Sequence, residues 1–375
     1  MANMAAFLAS MEQRNSIADY PHAVDFQAHI PIYDGHQLRA MDSQQLAAVQ
    51  AEWAHCWQHQ AGVMVVRNLY PQAAVVDAMT EVYYQLLRKQ EASQSGHNKG
   101  DHFAPKGANG RVWNALEKAA VLDPKTFIDY YSNALLADIC TAWLGPDYQL
   151  TSQVNLVYPG GQPQQPHRDY HLGFTSDAEV ARYPMHVQIM SAMLTLQGAV
   201  AHIDMPVESG PTMLLPYSQR YEAGYGLYRQ PEFMAYFAEH AVQLPLQKGD
   251  GLFFNPALMH AAGENKSADI QRMANLLQIS SAFAKPMESL DQRNMQLTCY
   301  PYLAIANLSE PELAAIATAI SDNYPFPTNL DRDQSETSLR PPSSRDLLLE
   351  SIARKDKLQT FNDALNQLYW RKQSS

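Results

Sequence analysis

Hydrophobic and polar positions change texture along the chain, and each change predicts an element. Residues 43–60 carry apolar side chains at helical spacing behind Asp42 and Ser43, which suits an amphipathic helix with a polar cap. Gly62-Val-Met-Val-Val-Arg67 is a short β-rich run. A second helix is predicted from about Pro71 to Lys89, with proline in its first turn. Residues 91–112 are polar and Gly-rich without a period and read as a long loop, the kind of segment that forms lids or carries function. Helices are predicted again between about 114 and 144.

From Tyr148 the texture is β. Tyr148–Tyr158 ends at Pro-Gly-Gly, and Met185–Val200 is a long apolar run. Pro211–Leu215, Val242–Leu246, Gly251–Phe254 and Met273–Ser281 are shorter runs bounded by turn residues. Many short strands separated by turn signals predict a sandwich or barrel. Helix returns at Ser309-Glu-Pro-Glu312, a capping-box pattern, and again near 344–370, with a polar, Pro-rich segment between.

Composition narrows the function classes. Hydrophobic residues make up 46% of the 375 and charged ones 17%, enough to bury a sizeable core. The net charge of −11 argues against nucleic acid or anionic membrane as a partner, since phosphate contacts need clustered Lys and Arg. Cys56, Cys140 and Cys299 are far apart and form no C-x-x-C pair, so a thiolate zinc site and a disulfide framework are both disfavoured. With no basic leader and no run of ~20 apolar residues, the sequence predicts a cytoplasmic protein. Its oligomeric state is open.

The chemistry-bearing stretch is Gln165-Pro-His167-Arg168-Asp169-Tyr170-His171. In an extended segment, side chains i and i+2 share a face, so His167 and Asp169 can reach one metal ion. His260 is the candidate third ligand, just beyond the apolar strand that Lys248-Gly-Asp250 launches. Two histidines and one carboxylate form the facial triad expected of non-haem Fe(II) oxygenases, with positions left open for a bidentate oxo-acid and O2. A four-ligand zinc cage would leave no such room. Arg272 opens the next predicted strand and would grip the far carboxylate of 2-oxoglutarate through its planar fork. His202-Ile-Asp204 is a rival His-x-Asp pair at a strand end.

Four pieces, in order between Ser152 and Ser280, resemble the phytanoyl-CoA dioxygenase family of Fe(II)/2-oxoglutarate oxygenases. They are Asn155 with a Pro-Gly turn and Pro166-His167-x-Asp169-x-His171; His202-Ile-Asp204 with Gly210-Pro-x-x-x-x-Pro216-x-Ser218; Lys248-Gly-Asp250 with Phe253-Phe254 and His260; and Gly263-x-Asn265-Lys-Ser267 leading to Arg272. The resemblance implies a mainly β fold with α additions, a double-stranded β-helix (jelly roll) flanked by helices. It places the core at about 148–282, a helical part at 1–147 and a helical extension at 300–375, all within one oxygenase domain. It assigns iron to His167, Asp169 and His260 and 2-oxoglutarate to Arg272, and it makes His202 and Asp204 structural. The activity implied is hydroxylation of a small-molecule C–H bond by O2, with release of succinate and CO2.

Gln197, Asn155 and Ser191 are further candidates for the cosubstrate, and Arg168, Tyr170, His171 and Lys106 for the substrate. The sequence departs from the resembled pattern at Arg168 (Gln in the family), at Tyr217 and Gln219 (Gly and His), and at Ala261-Ala262 (Gly and a hydroxyl). These departures leave the substrate open. A different cupin-like metalloenzyme and a non-catalytic jelly-roll binding protein are the competing readings. A halogenase is disfavoured because it lacks the carboxylate that Asp169 supplies.

Overall fold

Alternation along the strands separates two faces of one large sheet, and this separation places the site. The computed structural model describes residues 3–12, 14–93, 109–169, 171–335 and 339–374. Lys106, Tyr170 and most of the predicted loop 91–112 lie outside them. Among the described residues ten strands form: β1 (Asp25–Gln27), β2 (Ile30–Asp34), β3 (Val63–Arg67), β4 (Asn109–Val112), β5 (Gln149–Val157), β6 (Thr195–Ala201), β7 (Met213–Leu214), β8 (Gly251–Phe254), β9 (His260–Ala261) and β10 (Arg272–Ser280). Eight of these build a mixed sheet in the order β1-β2-β3-β8-β6-β10-β5-β4. Only the β2–β3 pair is parallel.

Facing the large sheet is a short, broken one. β7 pairs with β9, and isolated bridges join His167 to His260, Leu214 to Val242 and Met205 to Leu246. The predicted strand Val242–Leu246 thus survives only as bridges. The frame is a jelly roll without closure into a barrel, flanked by helices.

Residues directly opposite each other on paired strands point to the same side. On one side of the large sheet, Val66, Phe253, Val200, Leu196, Met273, Leu277 and Val154 enter a core shared with the helices. Helix Ser43–His59 contributes Trp53 and Trp57 to that core, helix Ala73–Ser93 contributes Tyr83, and helix Pro124–Tyr131 contributes Phe127 and Tyr130. Each fully buried side chain of this size contributes about 1.5–3 kcal/mol. The helices Gln292–Leu303 and Glu310–Ile320 cover the same side, the latter opened by the Ser309–Glu312 capping box.

The other side of the sheet faces the broken one and changes character across its width. At the β3–β8 end it presents Val63, Val65, Leu252 and Phe254 to a second apolar core. Toward β5 and β4 it turns polar. Gln197 stands opposite Gln278, Gln278 opposite Thr151, and Arg111 opposite Asn155, all buried. A buried polar wall is costly unless a partner satisfies it.

Three expectations need correction. The run Met185–Val200 is not one strand: Met185–Met193 is a helix, and β6 begins at Thr195. Gln188, Ser191 and Ala192 are its buried residues, at helical spacing, while Met185, Met190 and Met193 are exposed. The usual apolar-inward period is absent here, because the methionines lie on the exposed face and Gln188 and Ser191 on the buried one. The N-terminal part is not only helical, because it supplies β1 to β4. The C-terminal helices begin at Gln292 rather than near 300.

Candidate metal centre

The two histidines are clipped together by backbone before any metal is considered. His167 N donates to His260 O at 2.9 Å, and His260 N donates to His167 O at 3.0 Å. Asp169 N donates to Pro256 O at 3.0 Å, extending the same edge. The imidazole centroids lie 4.4 Å apart. Extended geometry through residue 169 puts His167 and Asp169 on one face, as the spacing predicts.

Second bonds set the tautomers. Nδ1 of His167 meets Gln165 O at 2.9 Å, and Nδ1 of His260 meets Leu258 O at 2.9 Å. A carbonyl only accepts, so each Nδ1 carries the proton and each Nε2 presents its lone pair. Both Nε2 atoms face the carboxylate: His167 Nε2 lies 3.7 Å from Asp169 Oδ1, and His260 Nε2 lies 3.5 Å from Asp169 Oδ2. The three ligand atoms all fall within 4.8 Å of one another, the only such group of His, Cys, Asp or Glu found among the described residues.

Gln197 on β6 donates to Asp169 Oδ2 at 2.5 Å. Burial opposes the charge on Asp169, but the charge that His167 and His260 carry when protonated, together with the Gln197 amide, outweighs it and holds the carboxyl well below its usual range. Burial pushes the His167 pKa down, against the pull of Asp169. The carboxylate is therefore charged and His167 neutral, the states a divalent cation requires.

Arg272, at the start of β10, is 5% exposed. Its Nη1 donates to the Ser209 and Gly263 carbonyls at 3.1 and 3.2 Å. No carboxylate among the described residues pairs with it, and burial alone lowers its pKa to about 10. A buried guanidinium held only by neutral carbonyls is incomplete without an anion. On the same face of the sheet, Asn155 Oδ1, Gln197 Oε1 and Gln278 Oε1 are buried without a partner. The triad fits a hard divalent ion of the iron class, and the Arg272 guanidinium fits a carboxylate beside it; the three amide oxygens only accept and call for a donor such as water.

Other predicted residues fall elsewhere. His171 has φ 47°, so the chain turns left-handed and His171 does not continue the i+2 series. Gly173 makes that turn possible, because a Cβ there would sit 2.1 Å from Arg168 O. Ser191 lies on the helix Met185–Met193 and donates to Gln188 O at 2.9 Å, so it is not on a strand of the polar wall. Gln197 spends its Nε2 on Asp169, while its Oε1 is buried without a partner. The Arg168 side chain donates to Tyr221 O and Ser218 O, away from the metal pair. Sequence reasoning passes over Gln153, Gln278 and Arg111 on the polar wall. The i+2 series Thr151, Gln153, Asn155 carried the signal.

The rival pair is fully committed. Thr80 Oγ1 donates to Val76 O and so accepts from His202 Nδ1, at 2.7 Å. His202 Nε2 meets the Tyr130 hydroxyl at 3.0 Å, leaving no lone pair for a metal. Asp204 Oδ1 accepts from Lys248 N at 2.9 Å in the turn before β8. Burial lowers the His202 pKa to about 3. Its folded-state pKa lies below the unfolded value, so the stability linked to it is present above about pH 6.5 and is lost as pH falls. Unfolding free energy is expected to drop by up to about 1.4 kcal/mol per pH unit below pH 6 from this group. Urea unfolding from pH 7 to 4 should show that slope, and His202→Gln should flatten it while lowering stability at pH 7.

A jelly-roll frame carrying two histidines and a carboxylate on one edge defines the class of Fe(II)/2-oxoglutarate-dependent oxygenases. The phytanoyl-CoA dioxygenase (PhyH) family profile matches residues 58–274, and the chain belongs to that family. A dioxygenase, cdmD, of Talaromyces verruculosus is 24% identical over 232 residues, covering 61% of this chain and 71% of that protein. Among solved structures, the α-ketoglutarate-dependent epimerase SnoN of nogalamycin biosynthesis is similar at TM-score 0.43 and 20% identity, covering 64% of this chain and 85% of SnoN. EctD from S. alaskensis with 2-oxoglutarate and 5-hydroxyectoine is similar at TM-score 0.42 and 20% identity, covering 64% and 77%.

Proposed function

We propose that this chain hydroxylates a C–H bond of a small-molecule substrate, with iron held by His167, Asp169 and His260 and 2-oxoglutarate gripped by Arg272. The carrying observation is the pairing of a preformed ligand triad with a buried arginine that lacks an anion. Bound iron and 2-oxoglutarate supply the oxidation of an unactivated C–H bond by O2, with succinate and CO2 as coproducts.

The chain's own residues supply placement. The Gln165 and Leu258 carbonyls fix both imidazole tautomers. Gln197 holds the Asp169 carboxylate in one rotamer, so the ligand set is aligned before the ion arrives. Arg272 fixes the far end of the cosubstrate by charge and by its fork. The buried Phe254 ring lies 4.7 Å from the His260 imidazole and gives it an apolar neighbour.

The test is succinate release from 2-oxoglutarate across a panel of small metabolites, with acyl-CoA esters as one arm. Substrate-dependent succinate above the uncoupled background, with a product heavier by one oxygen, is expected. Release that no panel member stimulates, with no oxygenated product, would count against hydroxylation.

A further inference from the structure

Behind the metal pair lies a cavity of about 170 Å³ that the triad does not use. Its lining includes Arg168, Gln219, Tyr225, Ala192, Met193 and Ala257. Arg168 sits between two metal-ligand candidates in the chain, but as residue i+1 of an extended segment it points to the opposite side. It is 1% exposed. Nη1 donates to Tyr221 O at 3.2 Å and Nη2 donates to Ser218 O, while Nε is buried with no partner. No carboxylate of the described residues pairs with it; the nearby Tyr225 ring centroid lies 6.0 Å from the guanidinium carbon. Two neutral carbonyls and an aromatic face leave most of a full buried charge uncompensated.

Gln219 repeats the pattern. It is 7% exposed, its Nε2 donates to Gln60 O at 2.9 Å, and its Oε1 is buried without a partner. Glu222 is the cavity's acidic lining residue and is exposed, set against Arg168 and Arg220. Ala192, Met193 and Ala257 supply an apolar wall on the other side. Arg168 and Gln219 are also two of the positions where the sequence departs from the resembled family pattern, and the fold brings them to one cavity.

We propose that this cavity is a binding site for a small carboxylate with an apolar body, separate from the position Arg272 marks. The carboxylate accepts from Arg168, a water held by its second oxygen donates to Gln219 Oε1, and the apolar body lies on the helix Met185–Met193. The volume suits a body of about the size of benzene, which a dry cavity of ~150 Å³ accepts.

Benzoate is the probe, with benzyl alcohol as its neutral counterpart, titrated calorimetrically into the full-length iron-loaded chain under anaerobic, 2-oxoglutarate-saturated conditions. Saturable benzoate binding is expected, with benzyl alcohol weaker by roughly 10- to 100-fold, the value of hydrogen bonds to a charged group. Arg168→Gln should lose the same factor, and Ala192→Leu, which fills the cavity and keeps the charge, should also abolish binding. Arg272→Met should leave it unchanged. Absence of benzoate binding, equal affinity for both probes, or loss in Arg272→Met would overturn the proposal. Because the readout is binding and not turnover, a failure of the oxygenase reading would show separately, as absence of iron or 2-oxoglutarate uptake.

Discussion

Replacing Asp169 with alanine is expected to abolish succinate formation and leave the chain unable to retain iron through desalting. The carboxylate is the only charged member of the triad and lies between both imidazoles. Without it, two histidines remain, and the Gln197 amide loses its acceptor at a buried position. That orphaned donor costs about 1–3 kcal/mol of stability, small enough for the variant to fold. Far-ultraviolet circular dichroism should match the parent while bound iron, measured by elemental analysis, falls to background. His202→Ala should behave in the opposite way, losing stability through Thr80 and Tyr130 while retaining iron. An Asp169→Ala protein that keeps iron and turnover would move the centre elsewhere.

Arg272→Met should raise the 2-oxoglutarate concentration needed for half-maximal turnover by roughly 30-fold or more, since truncating one side of a buried charged pair costs about 2–5 kcal/mol. Iron binding should be unaffected. A thermal shift separates this from a structural defect. The parent should gain melting temperature when 2-oxoglutarate is added with iron, because a ligand that binds only the folded state stabilises it by mass action. The variant should gain little, even though it also loses the bonds to the Ser209 and Gly263 carbonyls. Equal shifts in both proteins would remove Arg272 from the cosubstrate site.

Much of this centre is legible in the sequence because it rests on local geometry. The i, i+2 relation of His167 and Asp169 needs only an extended backbone, and the structure provides it through a bridge to His260. The Lys248-Gly-Asp250 turn before β8 is likewise local: Gly249 adopts φ 91°, and Asp250 accepts from the backbone of Gln247 and Asn68. His171 leaves the i+2 series because the extended run ends at this left-handed residue, and the tight turn brings Gly173 against the Arg168 carbonyl. Ser191 falls on a helix inside a continuous apolar run, which by itself does not distinguish helix from strand. The polar wall of Gln153, Gln278 and Arg111 depends on which strands pair, a long-range choice no window reveals. The same holds for the cavity at Arg168, whose walls come from segments distant in the chain.

One chain is expected to bind one iron and one 2-oxoglutarate together, through the triad and Arg272. Anaerobic titration with Fe(II), then with 2-oxoglutarate, followed by visible absorption, tests it most directly. A weak charge-transfer band is expected that appears only when both are present, saturates at one equivalent of each, and is missing in Asp169→Ala. No band and no bound iron in the parent protein, or an undiminished band in Asp169→Ala, would contradict it.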